Sequence, residues 1–183
     1  MERRSLLKAI ASAAPAAALH NLIAESPASP PSSALHVVGD GQDRFNHTYA
    51  LGYSTLSFKV APAETNGGLF VIEHTHLRPG GPPLHLHFEQ EEWFYVMEGE
   101  VAFQVGDQQL HLKPGESLLA PRRVPHAFAS MAQSSRLLIA FTPAGKMEQF
   151  FRDADAHKDI AFKPEFINRY DMKWIGPSPF LHS

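Results

Sequence analysis

Between residues 55 and 142 turn-forming residues interrupt the chain at intervals of roughly eight to twelve positions, and the runs between them alternate apolar with polar side chains. Leu56, Phe58 and Val60 interleave with Thr55, Ser57 and Lys59, and Asn66-Gly67-Gly68 precedes a second run over 69–77. Pro79-Gly80-Gly81-Pro82-Pro83 ends that run. Further strands are predicted over 92–97, 101–105, 110–113, 117–120, 126–131 and 136–142, parted by Glu98-Gly99, Gly106-Asp107 and Pro114-Gly115. Side chains two apart on a strand share a face, so each run offers one apolar face to a core. Many short strands of this kind pack as a sandwich or a barrel. There is no internal repeat, and 183 residues at 44% hydrophobic content suit one sizeable core.

Within this punctuation one stretch carries chemistry. His85 and His87, either side of Leu86, point the same way from a predicted strand, with Leu84, Leu86 and Phe88 on its other face. A polar turn over 89–91 follows, and Glu92 opens the next strand. Two imidazoles and a carboxylate need one more ligand to hold a divalent metal, and His126 is available. The chain has no cysteine, so disulfides and thiolate metal sites are excluded and metal binding must use imidazole and oxygen.

The spacing of His85, His87, Glu92 and Gly99 resembles the first signature of the cupin family, and Gly106, Pro114-Gly115 and His126 resemble the second. The resemblance spans roughly residues 51–143. Residues 141–151 also look like the small single-domain cupins often labelled quercetin-dioxygenase-like. Two positions depart from the family pattern: Pro79 stands where a glycine is common, with Gly80 and Gly81 just after it, and Ser130 where an asparagine is frequent. The resemblance implies an all-β fold, a single jelly-roll β-barrel with one metal in its mouth. It implies His85, His87, Glu92 and His126 as ligands to one divalent transition metal, whether iron, manganese, nickel, copper or zinc. It further implies a small-molecule substrate and O2 meeting at that metal, with Glu92 as proton acceptor for a substrate hydroxyl.

The N-terminus has its own character. Arg3-Arg4-Ser5-Leu6-Leu7-Lys8 resembles a twin-arginine export signal, and an uncharged alanine-rich run over 9–24 follows it. That run is too short to span a membrane. Ser26-Pro27-Ala28 or Ala16-Ala17-Ala18 would serve as a cleavage site, and a Ser/Pro-rich linker over 26–33 comes next. The expected organisation is a leader over 1–28, a linker and arm over 29–50, the barrel over 51–143 and a tail over 144–183. Export to the periplasm or the exterior follows from that reading. In the tail, Met147, Phe150 and Phe151 recur at helical spacing, 165–170 suits a second short helix, and 175–180 reads as irregular chain. Its apolar residues suggest docking in a homodimer.

A net charge of -3 gives no positive field for nucleic acid and no basic helix for a membrane surface. Phe94 and Val96, on Glu92's face, and Phe128, on His126's face, are candidate substrate-pocket residues, with plain core packing as the competing reading. Arg122 and Arg123 are candidates for anion recognition, against a solvated loop. His74-Thr75-His76 repeats the His-x-His pattern without a matching Glu and later His, which suits a solvated or rim pair. Three function classes remain. The leading one is a metal-dependent dioxygenase acting on a flavonol-like or other enolisable substrate. A redox-neutral isomerase, epimerase or lyase using the arginines as an anion clamp is the second, and a periplasmic binding protein for metal or a small ligand is the third.

Overall fold

The alternation read along the chain becomes two antiparallel sheets. The structure is a computed structural model that describes residues 35–181, so the twin-arginine-like leader lies outside the described residues. One sheet holds β1 (Tyr49–Leu51), β2 (Ser54–Val60), β3 (Phe70–Leu77), β5 (Glu91–Glu98), β8 (Ser117–Ala120) and β10 (Ser135–Thr142), in the order β1-β2-β3-β10-β5-β8. The other holds β4 (Leu84–His87), β6 (Val101–Val105), β7 (Gln108–Leu112), β9 (His126–Ser130) and β11 (Met172–Gly176), in the order β11-β4-β9-β6-β7. From β3 onward successive strands alternate between the sheets, apart from the β6–β7 hairpin, which makes a jelly roll rather than a meander. On β10 the inward positions Leu137, Ile139 and Phe141 are sealed from solvent while Arg136, Leu138 and Ala140 are half-buried, the period-two signature of a strand with one face on the core.

Phenylalanines fill the space between the sheets. Phe58, Phe70, Phe94, Phe103 and Phe141 are all buried, and they meet as ring pairs: Phe58 edge-on to Phe70 at 4.9 Å, and Phe94 edge-on to Phe103 at 5.1 Å. Each such ring removes roughly 150–250 Å² from water, so the aromatic layer dominates the burial that holds the sheets together.

The segment after Pro143 closes one end. α1 (Met147–Ala156) buries Met147, Phe150, Phe151 and Ala154, and Phe151 packs against Phe58, Phe70 and Phe141. α2 is the short turn of helix Pro164–Ile167, which buries Phe166 and Ile167. The sequence predicts irregular chain over 175–180, but the structure begins that stretch as the end of β11, antiparallel to β4 with Met172 opposite His87 and Trp174 opposite His85. β4 is only four residues long, and without β11 its outer edge would present unpaired backbone groups. Pairing demanded by that edge, rather than β propensity in Met172-Lys173-Trp174, makes the strand. β1 likewise begins within the stretch that the sequence assigns to a linker and arm, with Leu51 at the predicted start of the barrel.

Close backbone approach beside β4 falls on Gly81. Its φ is +59, and a Cβ there would lie 1.7 Å from the carbonyl oxygen of Phe128 on β9. Gly115 also has positive φ, +88, but open space around it. Gly81→Ala should therefore destabilise the protein by about 3 kcal/mol in urea denaturation, combining left-handed strain with a backbone clash. Gly115→Ala should cost only about 1 kcal/mol, and equal losses would contradict the packing at Gly81.

Candidate metal centre

Strand period and register bring four side chains to one point. His85 and His87 are the two inward positions of β4, and their neighbours Leu84 and Leu86 turn the other way. His126 opens β9 directly opposite His85 in the ladder, so the five-stranded sheet supplies all three imidazoles. Glu92 comes from the facing sheet, on β5 between Phe141 of β10 and Ala120 of β8. All four residues are buried, and their candidate ligand atoms lie within 4.8 Å of one another. Donors about 2 Å from a common centre lie at most about 4 Å apart, so small side-chain shifts of less than about 1 Å bring the four onto one ion.

Hydrogen bonds at the far side of each ring decide which nitrogen faces inward. His85 Nδ1 donates to the Pro83 carbonyl at 2.8 Å, and His126 Nδ1 donates to the Val124 carbonyl at 2.9 Å. In the neutral rings Nε2 is then a bare lone pair in both, the tautomer a metal requires. His126 Nε2 stands 2.8 Å from Glu92 Oε2, and His87 Nε2 stands 3.1 Å from the same oxygen but off hydrogen-bonding line. Both nitrogens of His87 are buried without a hydrogen-bond partner among the described residues. Inward-facing lone pairs around a buried carboxylate leave it uncompensated, and a divalent cation at their focus satisfies all four groups at once. The residues fit a metal.

The electrostatics agree. Burial pushes His85 down from 6.5 to about 3, helped by the neighbouring imidazoles of His126 and His87. Burial alone would raise Glu92, yet in the metal-free protein hydrogen bonding and charge from His126 and His87 outweigh that and hold the carboxyl well below the ordinary carboxylate range. A neutral His85 thus stands beside an ionised Glu92.

Above the ligands lies an aromatic pocket whose walls include Tyr53, His74, Phe128, Phe141, Phe151 and Met172. Its free volume is only about 30 Å³, room for one or two waters, because α1 and the segment leading to β11 fill the mouth. Phe128 lines this space. Phe94 and Val96 share Glu92's face but sit deeper, fully buried in the core and away from the lining, since β5 descends from the mouth at Glu92. Arg122 does not reach the pocket either: it lies at the surface, paired to Glu91 through Nε at 2.5 Å and a second nitrogen at 2.8 Å. Arg123 is exposed and pairs with Glu89, while its backbone N–H donates to the His87 carbonyl at 2.7 Å. The two arginines therefore staple the loop before His126 to the turn after His87. Sequence spacing could not show this, because it depends on two loops meeting.

The second His-x-His pair divides. His76 is exposed, but His74 is buried and lines the pocket, which corrects the reading of both as solvated or rim residues. The signal was present in the alternation, since His74 shares the inward face of Ile72 on β3.

Residues 73–141 match the family model described as Cupin domain (Cupin_2). That match covers less than half of the chain. Oxidoreductase iacF of Pestalotiopsis fici is 28% identical to it over 138 residues, 65% of this chain and 62% of that protein. Quercetin 2,3-dioxygenase of Bacillus subtilis is 27% identical over 95 residues, 51% of this chain and 28% of that enzyme. The aligned cupin region thus spans less than two thirds of either relative. An RmlC-like cupin from Shewanella frigidimarina NCIMB 400 shares the fold, with a TM-score of 0.52 and 20% identity over 63% of this chain and 96% of that one.

Two outcomes test the centre. The protein expressed without a metal-binding tag should carry about one equivalent of a divalent transition metal by elemental analysis, lost in His126→Ala, and chelation should lower Tm by about 5–10 °C. Acid should destabilise the metal-free protein for a separate reason. His85 and His74, held by burial at about 3 and about 4, stay neutral when folded but take up protons near 6.5 when unfolded. Their contribution is complete above pH 6.5 and is lost as the pH falls towards 4, and Glu92, held low, works in the same direction. The urea midpoint at pH 5 should fall below that at pH 7.5, each histidine contributing up to about 2 kcal/mol; equal midpoints would contradict neutral burial.

Proposed function

We propose that this chain is a metal-dependent cupin dioxygenase acting on a small enolisable or aromatic, flavonol-like substrate. The observation that carries the reading is a three-histidine, one-glutamate centre at the floor of a pocket whose other walls are mainly aromatic and apolar. The similarity to an oxidoreductase and to a quercetin 2,3-dioxygenase supports it. A divalent transition metal held by His85, His87, Glu92 and His126 would supply Lewis acidity for a substrate oxygen and, with a redox-active ion, electrons for dioxygen chemistry.

The chain's own residues set the conditions for that chemistry. Nδ1 donation from His85 and His126 to backbone carbonyls keeps those rings oriented and their Nε2 atoms free of protons. Glu92 Oε2 faces the imidazoles, and Oε1 receives no hydrogen bond from the described residues, which leaves it to accept the proton of a substrate hydroxyl. Phe141 and Phe151 exclude water from the space above, which strengthens every polar contact made there. With Arg122 and Arg123 engaged at the surface, the pocket wall holds no cation for a carboxylate or a phosphate. An enol or phenol, neutral on arrival, suits such a wall better than an anion does.

The free space is smaller than any flavonol, so substrate entry requires α1 and the residues before β11 to give way. Among the described residues no helix is long and apolar enough to cross a membrane. Delivery to the periplasm by the twin-arginine route is part of the proposal, on the strength of Arg3-Arg4 and the alanine-rich run after them.

Oxygen-electrode assays with β-diketones and flavonols on the metal-loaded protein should show uptake that falls by at least about 100-fold in Glu92→Ala. Arg122→Ala should stay within about twofold of the parent rate. Turnover that persists under argon would replace the dioxygenase reading with a redox-neutral one.

A further inference from the structure

We propose that His74 is the pocket's hydrogen-bond acceptor for a substrate hydroxyl or N–H group, so that it selects donor-bearing ligands and fixes their orientation above the ligand cluster. The inference rests on the reading of this pocket as the substrate site.

His74 lies on β3, in the middle of its sheet, opposite Leu56 of β2 and Leu137 of β10. It is 1% exposed, and its ring sits between Tyr53, stacked at 6.2 Å, and the edge of Phe128 at 5.8 Å. Its Nδ1 is 2.8 Å from Ser54 Oγ. The Ser54 hydroxyl gives its single hydrogen to the Thr55 carbonyl at 2.9 Å, so Ser54 can only accept from the ring, and Nδ1 carries the proton. Nε2 is then a bare lone pair on the opposite edge of the ring.

That lone pair has no partner among the described residues, and it is not one of the polar atoms sealed in the packing. It opens instead onto the pocket that Glu92, His85 and His87 share. Burial, the largest influence, holds the ring neutral at physiological pH, which preserves the acceptor. A polar edge turned into a mainly apolar pocket costs stability unless that space supplies a partner, and Ile72 on the same face shows that an apolar residue suits the surrounding core. The arrangement is explained by a ligand that brings a hydrogen. Carboxylates, which present only acceptors, would meet lone pair with lone pair. Tyr53, which lines the same pocket and whose hydroxyl makes no hydrogen bond to the described residues, can serve an acceptor on the same ligand.

The test uses phenol and anisole, which differ in one hydroxyl hydrogen, with the zinc-loaded full chain under argon, where no oxidative turnover occurs. Binding is read by titration calorimetry for the parent protein, His74→Asn and His74→Gln. Asn places its amide where Nδ1 was and keeps the bond to Ser54 but offers nothing to the pocket, whereas Gln restores a polar group at the Nε2 position. Phenol should bind the parent about tenfold more tightly than anisole, the factor of one net hydrogen bond. The preference should vanish in His74→Asn, with Tm nearly unchanged, and return in part in His74→Gln. Ring nitrogen NMR should show the Nδ1-protonated tautomer, with Nε2 shifted by phenol and not by anisole. An undiminished preference in a folded His74→Asn, or no binding of either compound to the parent, overturns the proposal. Because no oxygen is consumed in this experiment, failure of the dioxygenase reading shows up separately, as absent uptake at the electrode.

Discussion

The interaction on which this structure turns is the meeting of one buried carboxylate with three buried imidazoles across the gap between two sheets. Glu92 belongs to the six-stranded sheet and His85, His87 and His126 to the five-stranded one. A carboxylate so placed is tolerated only with compensation close at hand, and the surrounding Phe141 and Phe94 rings offer none. Spacing of the two sheets at this end is therefore tied to the distance between Oε2 and the Nε2 atoms. The backbone carbonyls of Pro83 and Val124 take part in the same constraint, since they turn the rings so that lone pairs rather than protons face Glu92.

The remainder of the fold keeps that focus dry and aimed. Phe94 of one sheet meets Phe103 and Phe128 of the other across the gap, and α1 brings Phe151 onto Phe58, Phe70 and Phe141. β11 covers the outer edge of β4 and sets Met172 beside His87, so the strand with two of the ligands is paired on both sides. Arg122 and Arg123, bound to Glu91 and Glu89, join the loops that lead away from His87 and into His126. Each of these contacts lies outside the ligand set, yet each limits how far a ligand can stray. The consequence for function is a site whose polar groups are few and fixed, with an entrance closed by the chain's own tail.

Much of this was readable from residue order. Short alternating runs parted by glycine and proline predicted the strands, because a one-sided core imposes period two on the sequence. His85, His87 and Glu92 were legible as a group since they lie on one strand and the start of the next. What escaped was non-local. β11 forms because β4 needs a partner, and nothing in Met172-Lys173-Trp174 announces it. For Phe94 and Val96 the sequence leaves pocket lining and core packing both open, because periodicity tells which face a side chain takes but not how deep it lies. For Arg122 the sequence leaves anion recognition and a solvated loop both open, because its partner, Glu91, is remote along the chain. His74 was set aside for lacking a glutamate at the expected spacing, although its place in the alternation already put it inside.

By itself, then, the amino-acid order determined the all-β class, the identity of four candidate ligands and the restriction of metal binding to imidazole and carboxylate, because local periodicity and side-chain chemistry are properties of short segments. Only the tertiary structure decided that the four converge within 4.8 Å, that the tail fills the mouth to about 30 Å³ and that His74 turns a bare nitrogen towards the same space. Those outcomes depend on register between strands far apart in sequence and on side chains competing for one interior. No segment carries that information alone.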